Sequence, residues 1–216
     1  MNDDSRQQRR QSLLAALPKY YSPLIHLCIP TILALLAVMY HLQYVTVFTY
    51  TYFLYAVCFI VFINGIEWCI HKWLFHTNIP GLYFFYKRHT KEHHSIYLQD
   101  DMALQSFVEV SLVMVPFRAI LGISVIVTSI YYLFVFLDWP LIASLFVIVS
   151  LLYVISYEWL HLMYHLPISS KNRFLKHLAH HHTVHHDPRL MRSWNFNVTI
   201  PLWDFLLKTY YKQKNH

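Results

Sequence analysis

Histidines are the residues of this sequence whose spacing points most directly to chemistry. Neutral imidazole binds zinc, copper, nickel and iron, whereas crowded imidazoles that become protonated repel one another. We therefore interpret the clustered histidines as metal ligands and the isolated His26 and His41 as packing residues. All of the 16 histidines except His26, His41 and His216 fall into four groups: EWCIHKWLFH from Glu67, HTKEHH from His89, YEWLHLMYH from Tyr157 and HLAHHHTVHH from His177.

Helical spacing explains how the third and fourth groups can each gather ligands. Residues three or four positions apart face the same side of an α-helix. This places His161 beside His165, and His182 beside His185 or His186. These pairs are therefore predicted to converge on shared points.

The first group has a different spacing. His71 and His76 are five positions apart, a step that leaves two residues roughly 140° apart around an ideal helix of 3.6 residues per turn. Either these two histidines serve different metal ions, or the helix ends between them.

The number of histidines and their surroundings indicate two iron ions. The clustered histidines outnumber the ligands that one ion takes. Ligand type does not select the metal, because the affinity order puts zinc above ferrous iron. A site beside a lipid bilayer meets mostly unactivated C–H bonds, whose oxidation needs iron and O₂ rather than a Lewis acid. We predict a di-iron centre in which zinc can substitute for the iron.

The composition indicates that membrane helices position these histidines. Hydrophobic residues make up 56% of the 216 residues and charged residues only 13%, which is too apolar for most soluble domains. The 17 Lys and Arg residues are scattered rather than gathered on one face, so we expect no nucleic-acid partner. Cys28, Cys58 and Cys69 lack the paired spacing of a disulfide framework or a thiolate zinc site.

Four stretches are apolar enough to cross a bilayer, for which about 20 residues are needed. The segment from Ala103 to Val115 is shorter, carries Glu109 and stops at Pro116, so we predict an interfacial or re-entrant helix there. The predicted fold is all-α: a multi-pass membrane protein with four transmembrane helices and with cytoplasmic helices that carry a histidine-rich dimetal site. The predicted spans are Pro23 to Tyr40, Thr46 to Trp68, Phe117 to Leu137 and Pro140 to Tyr157.

The distribution of cationic residues predicts the orientation in the membrane. Lys and Arg residues precede the first span, lie between the second and third or follow the fourth, and the other two connections contain none. By the positive-inside rule, the histidine groups and both termini are expected on the cytoplasmic side.

The sequence shows no internal repeat or linker, and its first residues lack the apolar core of a secretory signal. We predict a cytoplasmic N-terminal segment over residues 1–21, a single membrane domain over residues 22–211 and a tail over residues 212–216. Lys212 and Lys214 resemble a di-lysine retrieval signal. The expected location is the endoplasmic reticulum in a eukaryote and the inner membrane in a bacterium.

Four motifs, in the same order along the chain, resemble those of the fatty acid hydroxylase and sterol desaturase superfamily of membrane di-iron oxygenases. EWCIHKWLFH is similar to its E-x3-H-R-x2-F-H box, YEWLHLMYH to its Y-[DE]-x2-H-x3-H box and HTVHH to its H-x2-H-H box. NFNVTIPLWDFLLKTYY is similar to the N-[FY]-G-[VI]-T-x2-[LW]-W-D-x3-G-T-[FY] tail. Lys72 stands in place of the usual Arg, and Asn197 and Lys208 stand in place of the usual glycines.

The resemblance implies an O₂-dependent oxidoreductase that hydroxylates a lipid C–H bond, with a fatty acyl or sphingolipid chain as the leading substrate. It also implies an external electron donor of the cytochrome b5 or ferredoxin type. His177 and His180 fall outside the box positions and are interpreted as surface residues or as partners of the ligands. The implied metal ligands are His71, His76, His89, His93, His94, His161, His165, His182, His185 and His186.

Carboxylates and one amide beside the boxes are predicted to hold the ligands in place. Glu67 and Glu158 stand four and three residues before a ligand histidine and can accept its remaining N–H, which fixes its tautomer. Asp101, Asn195 and Asp204 are further candidates for this role. For each of them the alternative is a helix cap or a structural hydrogen bond.

Several alternatives stay open from the sequence alone. In the fourth group, His182 gives the H-x2-H-H spacing, whereas His181 gives the H-x3-H-H spacing that the second group also shows. The sequence does not separate hydroxylation from desaturation, or acyl chains from sterol or carotenoid substrates. A zinc-binding or zinc-transport protein is the alternative of another class, and it would place histidines inside the spans rather than at their ends.

Overall fold

A computed structural model describes residues 3–46, 49–167 and 171–212, and these residues are mainly helical with no β-strand among them. The predicted all-α class is therefore confirmed. In chain order the elements are α1 (Asp3–Ala15), α2 (Pro23–Leu42), α3 (Tyr50–Cys69), the π-helix π1 (Ile70–Phe75), α4 (Tyr83–Tyr86), the π-helix π2 (Lys87–His93), α5 (His94–Ile96), a 3₁₀ turn (Phe107–Glu109), α6 (Val110–Val113), α7 (Phe117–Phe136), α8 (Pro140–Tyr164), α9 (Arg173–His185) and α10 (Leu202–Leu206).

Four helices of the described chain are long and apolar enough to cross a membrane, as predicted. They are α2, α3 continued by π1, α7 and α8. Two of them extend well beyond the predicted ends: α3 with π1 continues to Phe75 instead of Trp68, and α8 continues to Tyr164 instead of Tyr157. The third histidine group therefore lies on the last turns of a long helix rather than beyond its end.

The surface of α7 indicates what surrounds these helices. None of its residues is buried, and large apolar side chains stand exposed along it, among them Leu121 at 66% and Phe136 at 86%. Soluble monomers rarely expose apolar surface of this extent. A helix that is apolar on all sides and unburied fits a lipid environment.

The prediction that the segment around Glu109 does not cross the membrane agrees with the structure. Its helix, however, is shorter than the predicted Ala103 to Val115. Ser106 and Glu109 have the spacing of a capping box. The Glu109 carboxylate accepts hydrogen bonds from the Gln105 backbone N–H at 3.2 Å and from the Ser106 hydroxyl at 3.3 Å. Helical structure consequently begins only at Phe107 and ends at Val113.

The described residues form two compact units. The histidine unit consists of the described residues within Met1–Pro23, Asn64–Val113 and Leu160–His216. The helix unit consists of the described residues within Leu24–Ile63 and Met114–Trp159. The predicted division into residues 1–21, 22–211 and 212–216 stays a prediction. Residues 213–216, which include Lys214, lie outside the described part of the chain.

Within the helix unit, the two isolated histidines make local contacts. Nε2 of His26 lies 3.0 Å from the carbonyl oxygen of Val115. Nδ1 of His41 lies 3.3 Å from the hydroxyl oxygen of Ser144. Neither histidine belongs to a group with metal-ligand geometry, so both fit the interpretation as packing residues.

Candidate metal centre

The winding of two π-helices decides which histidines of the first half of the chain meet. A π-helix closes hydrogen bonds between residues five apart, and the backbone N–H of His94 donates to the carbonyl of His89 in this way. The rings of His89 and His94 lie 4.7 Å apart, and those of His71 and His76, at π1, lie 5.1 Å apart. Of the two alternatives for His71 and His76, the structure fits the second: π1 ends at Phe75, between them, and the two histidines lie in one site instead of serving different ions.

In the second half of the chain, α-helical winding pairs residues four apart. His161 and His165 at the end of α8 have ring centroids 5.2 Å apart. His182 and His186 at the end of α9 have centroids 4.6 Å apart, and their Nε2 atoms lie 3.0 Å apart. His185 follows a different direction around α9 and contacts the histidines of the π-helices instead.

All ten predicted ligands are buried and gather into two groups, in each of which the ligating atoms lie within 4.8 Å of one another. Neither group includes a carboxylate or thiolate of the described residues. Site A consists of His71, His76, His89, His94 and His185, and site B consists of His93, His161, His165, His182 and His186.

Backbone carbonyls fix the tautomers in site B. A carbonyl oxygen only accepts, so an imidazole whose Nδ1 lies against one carries its proton on Nδ1 and a lone pair on Nε2. Three ligands of site B make this contact. Nδ1 lies 3.0 Å from the Leu112 oxygen in His93, 2.8 Å from the Met102 oxygen in His165 and 2.7 Å from the Tyr97 oxygen in His186.

The same principle fixes three tautomers in site A. Nδ1 of His71 donates to the carbonyl of Phe196, and Nδ1 of His185 donates to that of Trp194 at 2.9 Å. The Thr90 hydroxyl donates to the carbonyl of Phe75 at 2.7 Å and therefore accepts from Nδ1 of His76 at 3.0 Å.

The resulting lone pairs face one another. In site A the Nε2 atoms of His76 and His185 are 2.9 Å apart, and in site B those of His93 and His186 are 3.3 Å apart. None of these four Nε2 atoms carries a proton to share, so each contact is repulsive without a cation.

Protonation does not relieve this repulsion near neutral pH. Burial lowers the pKa of His185 and of His165 to about 4. Burial, together with the neighbouring imidazoles, holds the pKa of His76, His93 and His186 well below the usual value. The imidazoles stay neutral with their lone pairs converging, and the residues of both sites thus fit a bound metal ion.

The two sites are immediate neighbours. The rings of His94 in site A and His186 in site B stack with centroids 4.2 Å apart and an interplanar angle of 24°. His185 and His186 are consecutive residues that serve different sites.

A comparison with protein families agrees with this geometry. The family model described as fatty acid hydroxylase matches residues 56–209, which include all ten histidines. The chain belongs to the fatty acid hydroxylase family. This family is part of the sterol desaturase and fatty acid hydroxylase superfamily, so the predicted superfamily is confirmed. No curated protein and no solved structure matches the chain.

In this fatty acid hydroxylase family member, Asp204 braces the backbone behind site A. It is fully buried, and its carboxylate accepts from the backbone N–H groups of Phe196 at 3.0 Å and Asn197 at 2.8 Å and from the Thr209 hydroxyl at 2.7 Å. Burial by itself raises the pKa of Asp204, but these bonds and one from His181 lower it below its usual value. Asp204 therefore acts on ligands through the segment whose carbonyls they contact.

Glu67 braces the adjoining residues of the same segment. Its carboxylate accepts from the backbone N–H groups of Val198 and Thr199 and from the Thr199 hydroxyl at 2.6 Å. The sequence prediction placed Glu67 directly on a ligand N–H, whereas these bonds hold the backbone that follows Phe196. Its role thus resembles that of Asp204.

The other three candidate partners lie in different settings. Glu158 accepts from the backbone N–H of Val115 at 3.1 Å, within the helix unit. Asp101 pairs with arginines of α1. The Asn195 amide donates to the carbonyl of His181 at 2.9 Å, and its oxygen accepts from the Tyr211 backbone N–H at 2.8 Å.

The structure also separates the histidines of α9. His182 belongs to site B, whereas Nε2 of His181 lies 3.2 Å from a carboxylate oxygen of Asp204. His177 and His180 are exposed. Nε2 of His177 lies 3.2 Å from the Tyr210 hydroxyl.

Two positions that depart from the family pattern also take part in this scaffold. The Asn197 side chain donates to the carbonyl of Asn64 at 3.0 Å and accepts from the Asp204 backbone N–H at 3.3 Å. Lys208 has a φ of 58°, a left-handed conformation that glycine adopts without strain. This explains why the family pattern has glycine there. Thr90, by contrast, carried no sequence signal for its role as partner of His76.

Proposed function

We propose that this fatty acid hydroxylase is a di-iron oxygenase that hydroxylates a C–H bond of a lipid, with a fatty acyl or sphingolipid chain as substrate. The observation that carries the proposal is the pair of adjacent all-histidine sites, whose Nε2 lone pairs converge in a chain with four apolar helices of spanning length. Family membership supports an oxidoreductase that acts on lipids.

Iron is favoured over zinc by the chemistry that the substrate demands. Zinc has no redox chemistry, and an alkyl C–H bond has no carbonyl or phosphoryl group for a Lewis acid to polarise. Iron bound by the ten imidazoles would supply the redox chemistry with O₂ that an unactivated C–H bond requires.

The side chains of the protein itself bind, orient and shield. The imidazoles would hold the ions through Nε2, and the carbonyls on Nδ1 fix the direction of each ring. Ile96, Tyr97 and Phe196 are fully buried in the histidine unit and exclude water from the surroundings of the sites.

The overall reaction requires electrons from outside the chain. One lipid R–H, one O₂, two electrons and two protons give R–OH and one water. Imidazole ligands do not supply these electrons, so we propose a cytochrome b5-like or ferredoxin-type protein as the donor.

Lipid analysis tests this function directly. Cells that express the protein should contain a lipid with one additional oxygen atom that is missing both from cells lacking it and from cells expressing His186→Ala. Purified protein should contain two metal ions per chain by elemental analysis, one for each site. Lipids with two hydrogens fewer would indicate a desaturase instead, and an unchanged lipid profile together with one metal ion or none would contradict the proposal.

We further propose that the histidine sites face the cytoplasm, where reductants are available and where the cationic residues are expected. Gln99 and Lys171 belong to the histidine unit, Gln43 belongs to the helix unit, and all three are exposed. In a chain without native cysteines, probes at Gln99→Cys and Lys171→Cys should react with a membrane-impermeant reagent from the cytoplasmic side. A probe at Gln43→Cys should react from the opposite side. Labelling of Gln99→Cys and Lys171→Cys from opposite sides would contradict a shared metal centre.

A further inference from the structure

One irregular segment, residues 97–112, supplies the carbonyls that orient site B. The three fixed histidines of this site bind the carbonyls of Tyr97, Met102 and Leu112. Within this segment regular structure is confined to a 3₁₀ turn and the first residues of α6. Further backbone hydrogen bonds hold it, from the N–H of Asp101 to the Leu98 carbonyl and from the N–H of Leu104 to the His165 carbonyl, and side-chain contacts add to them.

Glu109 ties the two ends of this segment together. It is 1% exposed. One carboxylate oxygen accepts from the Tyr97 hydroxyl at 2.9 Å, and the other accepts from the Gln105 backbone N–H at 3.2 Å. The same residue thus fixes the ring next to the His186 contact and the helical turn that leads to the His93 contact.

Arg10 of α1 compensates the buried charge of Glu109. Arg10 is 2% exposed, and its Nε lies 3.6 Å from a Glu109 oxygen. Its guanidinium also lies 5.7 Å above the Tyr97 ring and 3.7 Å from an Asp101 oxygen. Removing one partner of a buried ion pair leaves an uncompensated charge, which the structure then relaxes to accommodate.

The N-terminal helix reaches this segment at a second point. The Gln7 amide donates to the Gln105 side-chain oxygen at 2.9 Å. Gln7 and Arg10 lie three positions apart and so share one face of α1. This helix lies outside residues 56–209, the part of the chain that the family model matches.

We propose that Arg10 is a positioning residue for metal site B, and that α1 therefore completes a metal centre whose ligands all lie outside it. The inference rests on the proposed function, because it assumes that sites A and B each bind an ion. Arg10 acts through Glu109 and Tyr97, which hold the carbonyls behind His186 and His93.

Chelator extraction of the metal-loaded protein tests this role. In Arg10→Gln, one of the two bound ferrous ions should leave about 10-fold faster than in the wild type. Changing a partner of a metal ligand costs about 10- to 100-fold in metal affinity, and we expect the lower end of that range. The other ion should leave at the wild-type rate. Arg9→Gln changes an exposed arginine of the same helix and should leave both rates unchanged, and Arg10→Lys should restore part of the loss.

A double-mutant cycle separates a positioning role from general destabilisation. If Arg10 acts through Glu109, then Arg10→Gln and Glu109→Gln should not add, and the double variant should lose its ion no faster than the worse single variant. The double variant also removes the uncompensated charge of Glu109, so its extraction rate can be measured even if Arg10→Gln alone does not fold. Equal acceleration of both ions, additive effects or wild-type extraction would overturn the inference. A wild-type protein with fewer than two ions would instead overturn the proposed function.

Discussion

Alanine in place of His185 is expected to empty site A, and alanine in place of His186 is expected to empty site B. The two residues are consecutive, fully buried and fixed by different carbonyls, those of Trp194 and Tyr97. Each variant should retain one metal ion instead of two, measured by elemental analysis of purified protein. Formation of the hydroxylated lipid should fall by more than about 100-fold, because changing only a partner of a metal ligand already costs 10- to 100-fold.

His180→Ala is the matched control for this pair. His180 lies on the same helix, is exposed and belongs to neither site. It should retain both ions and full activity. If His185→Ala and His186→Ala both keep two ions, the ligand assignment is wrong. If both lose all metal, the two sites do not bind separately.

The clustering of the histidines and the four spans could be predicted because both depend on local properties of the sequence. A run of about 20 apolar residues has few alternatives to crossing a bilayer. Histidines that recur at short spacings indicate metal binding from the sequence alone. For site B, α-helical spacing predicted the pair His161 and His165 and left open whether His182 pairs with His185 or His186; the structure places His182 with His186 and joins the two pairs.

The composition of site A could not be predicted in the same way, because it depends on π-helical winding. An ideal α-helix separates His71 from His76, and only a turn with bonds five residues apart brings them together. The sequence did contain a signal for this: the five-residue step occurs in each of the first two groups, at His71 with His76 and at His89 with His94.

The partners of the ligands were harder to predict because most of them are backbone carbonyls. A carbonyl carries no signature in the sequence, whereas the carboxylates and the amide near the boxes do. Asp204 and Glu67 do not act on a ligand N–H directly but through the backbone, since both accept hydrogen bonds from backbone N–H groups of residues 196–199. Asp101 lies instead beside the arginines of α1.

Asparagine in place of Asp204 is expected to weaken metal binding at site A by about 10- to 100-fold while site B keeps its affinity. The carboxylate accepts bonds from two backbone N–H groups, from Thr209 and from the Trp68 indole at 3.2 Å. An amide of the same size presents an NH₂ group to donors and leaves some of them unpaired in a buried site, which costs more than the lost bond itself. The carbonyls of Phe196 and Trp194 then lose their fixed positions behind His71 and His185.

Competition with a graded series of chelators measures the affinity of each site. Asp100→Asn is the control, because Asp100 is an exposed carboxylate that pairs with Arg6 at the surface. It should leave both affinities unchanged. Equal weakening of both sites in Asp204→Asn would mean that the variant loosens the whole histidine unit rather than the backbone behind site A.

Combining Asp204→Asn with Arg10→Gln gives the sharpest form of this expectation. Asp204 holds the segment behind site A, and Arg10 with Glu109 holds the segment behind site B. Changes in separate networks add, whereas changes in one network do not. The double variant should therefore show the site A loss of one parent and the site B loss of the other, with no further loss at either site. A larger loss at both sites would mean that Asp204 and the Arg10–Glu109 pair belong to a single network. The stacked rings of His94 and His186 would connect the two sites in that case.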